Sequence, residues 1–194
     1  MAGGWGRVAK RIRVPMGFVF AIFFLWFARP SGTALALSLL LVVPGLWLRG
    51  YASGYVKKNS ELTTTGPYAY TRNPLYLGSM MIAFGFAAAA RSWWIALALA
   101  LLFTVIYVPV IRGEEAFLRS VFAGFDAYAA RVPRLLPRLR AAREDAAAAG
   151  RFAPELYRKH REYNALIGAS VIYLLLVAKL LLRYTSFAWV VGGR

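Results

Sequence analysis

The sequence predicts an all-α protein: a polytopic bundle of about five membrane helices. Three observations predict it. The 194 residues are 60% hydrophobic with a mean hydropathy of +0.53, far above an ordinary soluble domain. The apolar residues gather into five runs, at about 14–28, 33–48, 75–90, 93–111 and 165–182. The basic residues, finally, fall on alternate connections between those runs.

The first run is short for a span of about 20 residues and follows a basic stretch, as a signal peptide would. It reads as a span, because Trp26, Phe27 and Arg29 stand where a small-residue cleavage site belongs. Runs three and four form a hairpin with a very short outer turn at Arg91 and Ser92, anchored by Trp93 and Trp94 at the interface. Ala141 to Gly150 is Ala-rich and reads as a helical connector, dividing a core of residues 1–140 from an appendage of residues 141–194 with one surface segment and the last span.

If the five spans hold, 19 of the 24 lysines and arginines and all eight acidic residues share one face. The positive-inside rule places that face and the N-terminus in the cytosol, in a membrane of the cell inner membrane type. The net charge of +16 therefore reflects orientation and attraction to anionic lipid, not a nucleic-acid partner. The absence of cysteine excludes disulfides, thiolate metal sites and cysteine nucleophiles. The lone His160 stands among Arg158, Lys159 and Arg161 and reads as solvated; no metal site is expected. The sequence leaves the oligomeric state open.

The polar and aromatic stretch from Gly66 to Gly78 has no place in a protein that only spans the bilayer. Two X-Pro steps, Gly66-Pro67 and Asn73-Pro74, turn the backbone twice. A helix is expected to begin at Pro74, with Asn73 as its N-cap. Arg72 would then lie at the positive end of that helix, where free N–H groups and a guanidinium suit a carboxylate or phosphate. Tyr68 and Tyr76 flank this place and offer ring faces to a cation or an adenine, whereas Tyr70 reads equally well as an interfacial residue.

A hairpin returns to the side it left, so Arg112, Glu114 and Glu115 should neighbour that block. If the fourth helix ends near Ile111, the two carboxylates face the negative end of its dipole and are poorly explained as structure. One of them could then take vicinal hydroxyls or offset a ligand cation. If the helix continues past Gly113, they are solvated or pair with Arg112 and Arg119. Downstream, Phe117, Leu118, Val121, Phe122 and Phe125 predict an amphipathic helix lying on the membrane with Arg119 and Arg131 outward.

Together, G-P-Y-x-x-x-R-N-P-x-Y-x-G at Gly66 to Gly78, E-E-x-x-L-x-x-x-F at Glu114 to Phe122 and Y-x-x-x-V-P-R at Tyr128 to Arg134 resemble the isoprenylcysteine carboxyl methyltransferases and the related phospholipid methyltransferases. The resemblance covers about residues 45–138. It implies a small membrane bundle binding S-adenosylmethionine at the cytosolic end of the hairpin, lined by Gly66, Pro67, Tyr68, Arg72, Asn73, Pro74, Tyr76 and Gly78 and completed by Glu114 and Glu115. By the same likeness Arg72 would hold the methionyl carboxylate and a glutamate the ribose or amino group. Many members carry His where this chain has Asn73. The acceptor implied is a lipophilic or lipidated molecule, either a prenylcysteine carboxylate, which Arg112 could orient, or a phospholipid amine, for which Glu114 or Glu115 could be the base. A sterol-reductase-type enzyme using NADPH, or a non-enzymatic lipid-binding scaffold, are the competing readings.

Overall fold

The computed structural model describes residues 4–57, 60–142 and 150–192. Among these described residues five long helices make the bundle: α1 (Gly4–Phe27), α2 (Gly32–Ser53), α3 (Pro74–Ala90), α4 (Trp93–Val121) and, after two short helices, α7 (Tyr163–Gly192). The short ones, α5 (Phe125–Arg131) and α6 (Pro154–Lys159), lie at one end with a 3-10 turn, Gly66–Ala69. No strand occurs among the described residues. Helices satisfy every backbone group within the segment, which is why an apolar chain takes this form in a bilayer.

The protein is an integral membrane bundle. Three helical stretches are long and apolar enough to cross a membrane, Gly32–Ser53, Trp93–Val121 and Tyr163–Arg183; two of the five expected spans are instead shorter apolar helices, Pro15–Phe27 and Pro74–Ala90. Helix α2 begins where expected, its first turn capped by Ser31, whose hydroxyl accepts the Ala34 N–H at 3.3 Å. The turn between α3 and α4 is as short as predicted, with Arg91 in the left-handed region at φ 50° and both Trp93 and Trp94 exposed beyond it.

Helices α2 and α3 pack along most of their length. Glycine makes this approach possible: a Cβ on Gly45 would stand 2.8 Å from the Gly78 carbonyl oxygen, and one on Gly78 would stand 2.7 Å from that of Gly45. Without a hydrophobic drive between helices in lipid, such small-residue contacts hold neighbours together through close packing. The core then gathers Phe24 of α1, Val42 of α2, Phe86 of α3, Ile95 and Leu99 of α4 and Leu176 of α7.

Lys179 closes the far end of the bundle. It stands in the middle of α7 yet donates to the carbonyls of Leu25 at 2.6 Å and Trp26 at 3.1 Å, satisfying acceptors that α1 leaves unpaired at its C-terminus. Lys179→Met is expected to lower stability by about 1 kcal/mol, read as a lower midpoint of thermal unfolding in detergent.

Three expectations are corrected. Helix α4 does not end near Ile111 but continues to Val121 through a π-helical turn, Phe103–Tyr107, so Glu114 and Glu115 lie on the body of a helix and the dipole argument falls. The amphipathic surface helix is not one element: Phe117, Leu118 and Val121 end α4, Phe122 is its C-cap, and Phe125 opens α5. Arg119 there pairs with Asp126 at 2.7 Å and lies 5.4 Å over the Phe125 ring. His160 is not simply solvated, because its Nδ1 lies 3.2 Å from the Ser53 carbonyl and ties α6 to the end of α2. The expected connector falls largely on residues 143–149, outside the described residues; Ala141 and Ala142 are not helical.

Candidate functional site

Glu115 is the centre of the site. It is buried on α4, and three side chains converge on it: Arg72 Nε donates to Oε1 at 3.1 Å, Asn73 Nδ2 to Oε1 at 3.2 Å, and Arg134 to Oε2 through Nε at 2.9 Å and Nη2 at 2.8 Å. A carboxylate so enclosed needs its charge and its lone pairs met together. The two arginines and the asparagine meet both.

The end of α5 and the residues that follow it are bound into the same knot. Arg72 Nη1 donates to the carbonyls of Ala129 at 2.7 Å and Val132 at 3.0 Å, and the Arg72 N–H to that of Pro133 at 2.9 Å. Asn73 Nδ2 also reaches the Arg134 carbonyl at 2.9 Å, and the buried Thr71 hydroxyl donates to the carbonyls of Arg134 and Leu135. The block expected to face a ligand is thus also the clasp that fixes residues 129–135. Asn73 occupies the N-cap position of α3 but makes no capping bond, since its side chain is turned to Glu115 and Arg134. Nη2 is the part of the Arg72 guanidinium left uncommitted among the described residues.

Above this clasp lies a cavity of about 680 Å³, within the usual size range of small-molecule pockets. Arg72, Asn73, Pro74, Tyr76, Glu114 and Glu115 line it, so the two sequence blocks meet as predicted. Tyr76 donates to Glu114 Oε1 at 3.0 Å, joining the start of α3 to α4. Tyr68 is buried but lines the cavity, and burial pushes its phenol well above the ordinary range, with Tyr128, Glu162 and Glu114 adding to the effect and Arg49 opposing it. It is a neutral hydroxyl at any physiological pH.

Not every expected residue is there. Gly66, Pro67 and Gly78 do not line the cavity. Gly66 shapes the turn beneath Tyr68: its φ is +58° and a Cβ would stand 2.5 Å from the Tyr55 ring. Gly78 belongs to the α2–α3 contact, and Arg112 is exposed on α4 away from the lining.

Residues with no role assigned from sequence complete the site. Tyr128 on α5 lines the cavity and donates its hydroxyl to the Tyr68 carbonyl at 2.8 Å. Tyr128→Phe is expected to cost about 1 kcal/mol, read as reduced thermal stability. Arg49, towards the C-terminal end of α2, grips Glu162 through Nε at 3.1 Å and Nη2 at 2.8 Å, and its Nη1 donates to the Leu75 carbonyl and the Ser79 hydroxyl. Both members of that pair line the cavity. A signal existed for each: Arg49 interrupts an apolar run, and Glu162 is an acid placed just before the last one. Among the described residues no group of three or more His, Asp or Glu is placed to hold a metal ion.

Residues 32–124 match the phospholipid methyltransferase family. The cobalt-zinc-cadmium resistance protein CzcN of Cupriavidus metallidurans is 39% identical over 136 residues, 66% of this chain and 62% of that protein. The nickel-cobalt-cadmium resistance protein NccN of Alcaligenes xylosoxydans xylosoxydans is 42% identical over 100 residues, 52% of this chain and 46% of that protein. The matched region thus spans about three fifths and under half of these relatives' lengths. No solved structure is significantly similar. The segment that matches this family, residues 32–124, carries both the Arg72–Asn73–Pro74 block and the Glu114–Glu115 pair.

Proposed function

We propose that the protein is an S-adenosylmethionine-dependent methyltransferase acting on a lipid-like or lipidated acceptor at the cytosolic face of an inner-membrane-type bilayer. The observation that carries this is a cavity lined by a paired arginine, two adjacent carboxylates and buried tyrosines, at the polar end of apolar helices. The donor set fits the cofactor. Arg72 Nη2 and the positive end of α3 suit its carboxylate, Glu114 suits its ribose hydroxyls or ammonium group, and Tyr68 and Tyr76 offer ring faces to its cationic and aromatic parts.

When bound, the cofactor supplies a methyl group already activated on a sulfonium, so the protein has mainly to align the acceptor and keep water away. Glu115 takes no direct part: held by Arg72 and Arg134, it positions the cavity wall. A carboxylate acceptor needs no base. For an amine acceptor, Glu114 is the candidate to receive the proton, since it lines the cavity and its carboxylate accepts a hydrogen bond from Tyr76 that it can release. The relatives are named for metal resistance; if this chain shares that role, it does so through methylation of a membrane component.

Calorimetric titration of the detergent-purified protein with S-adenosylhomocysteine, beside NADPH, tests the reading. Saturable binding of the first alone is expected. NADPH binding alone would replace it with a reductase, and binding of neither would leave a scaffold. Glu114→Gln should weaken S-adenosylhomocysteine binding roughly tenfold to a hundredfold, from the loss of a charged hydrogen-bond acceptor.

A further inference from the structure

Residues 134–140, Arg-Leu-Leu-Pro-Arg-Leu-Arg, do not line the cavity, yet they are fastened to the same end of the bundle. Pro133 and Pro137 bias the residues before them away from the helical region, and the chain from Val132 to Ala142 is not helical. Its backbone groups are met from outside instead. The Arg138 N–H donates to the Tyr70 carbonyl at 3.0 Å, the Ala142 N–H to that of Ala69 at 3.0 Å, and the Arg134 and Leu135 carbonyls accept the Thr71 hydroxyl. The segment is thereby tied to the stretch that supplies Arg72 and Asn73 to the cavity.

What this fixed segment presents outward is unlike a surface made for water. Leu139 is 100% exposed and Leu136 78%, two large apolar side chains three residues apart and both uncovered. Basic residues surround them. Four arginines fall between residues 131 and 140, and no acidic residue occurs between Asp126 and Glu144. Among the described residues no carboxylate pairs with Arg138 or Arg140. Tyr70, whose carbonyl holds Arg138, is itself exposed and precedes the start of α3 by four residues.

We propose that residues 134–140 form a docking surface for anionic lipid headgroups, with Leu136 and Leu139 entering the boundary of the bilayer that the bundle crosses. The partner follows from charge and place together. Exposed leucines alone would suit any apolar surface, but arginines without a neighbouring carboxylate select a negative one, and each favours an anionic membrane about fivefold. Apolar side chains set among basic ones are the composition of segments that lie in an interface, and an exposed tyrosine beside them is the usual companion at headgroup level. The surface membrane contact that the sequence predicted for a helix over Phe117 to Phe125 is supplied here by a non-helical segment downstream. This assignment is independent of the reaction carried out in the cavity.

The test exploits the lack of cysteine, which lets a single introduced thiol carry a label. The full-length variant Leu139→Cys, bearing a polarity-sensitive dye, is placed in bilayer discs of phosphatidylcholine alone or with about one third phosphatidylglycerol. In the anionic discs the emission should shift to the blue and acrylamide quenching should fall severalfold. Salt at about 1 M, where the Debye length is about 3 Å, should erase the difference. So should the added pair Arg138→Gln and Arg140→Gln. A dye quenched alike in the two kinds of disc would overturn the proposal, as would a difference that survives both salt and the paired substitution. Shielding by added polyglutamate and by neither bilayer would also overturn it, and would give the surface to an acidic protein.

Discussion

Glu115→Ala will open the mouth of the cavity and cost about 3 kcal/mol of stability. Removing one partner of a buried ion pair leaves its counter-charges without compensation, a loss of about 3–5 kcal/mol. The lower figure applies because the Arg134 side chain is 48% exposed and can turn to water, whereas Arg72 at 11% cannot. The effect should reach beyond the charge itself, since Arg72 and Asn73 also hold the carbonyls of residues 129, 132 and 134. Protection of the Arg72 amide, which donates to the Pro133 carbonyl, against hydrogen exchange should fall, and S-adenosylhomocysteine affinity with it. The double variant Glu115→Met with Arg72→Met should recover part of the stability, because no lone charge remains buried. It should not recover the affinity. A stability of Glu115→Ala equal to that of the unaltered protein would show that the cluster does not hold the site.

Gly78→Ala should cost about 1–3 kcal/mol, the range for forcing a methyl group into a packed contact. The new Cβ would stand 2.7 Å from both the Gly45 carbonyl oxygen and Arg49 Cγ, and a backbone oxygen cannot give way as a flexible side chain can. Helix α3 must then move off α2. Because Arg49 reaches across that same contact to Leu75, Ser79 and Glu162, the displacement should loosen the polar clasp together with the helix pair. Loss of both thermal stability and S-adenosylhomocysteine binding is expected; a variant as stable as the parent would mean that the close approach is not required.

The helix bundle and the meeting of two polar blocks were legible because each has a local cause. Apolar runs mark the long helices, and the short turn at Arg91 and Ser92 sends α4 back to the end where α3 began. What residues do to one another across space was not legible. Sequence spacing placed Arg72 beside Glu115 but could not show that Arg134 would share the carboxylate, or that Asn73 would abandon its cap to join them. The end of α4 was misplaced because Arg112, Gly113, Glu114 and Glu115 break the apolar pattern while the backbone remains helical, with Glu114 and Glu115 lining the cavity. Arg49 and Glu162 are 113 residues apart, and only folding reveals them as one pair.

The most direct test of the account is to supply methyl-tritiated S-adenosylmethionine to the protein in liposomes of bacterial lipid extract and count the radioactivity that passes into organic solvent. The account predicts time-dependent, organic-soluble label that S-adenosylhomocysteine suppresses and that Glu114→Gln lowers. Tight S-adenosylhomocysteine binding with no organic-soluble label from those lipids would contradict a phospholipid as the acceptor, and the absence of both would contradict the methyltransferase itself.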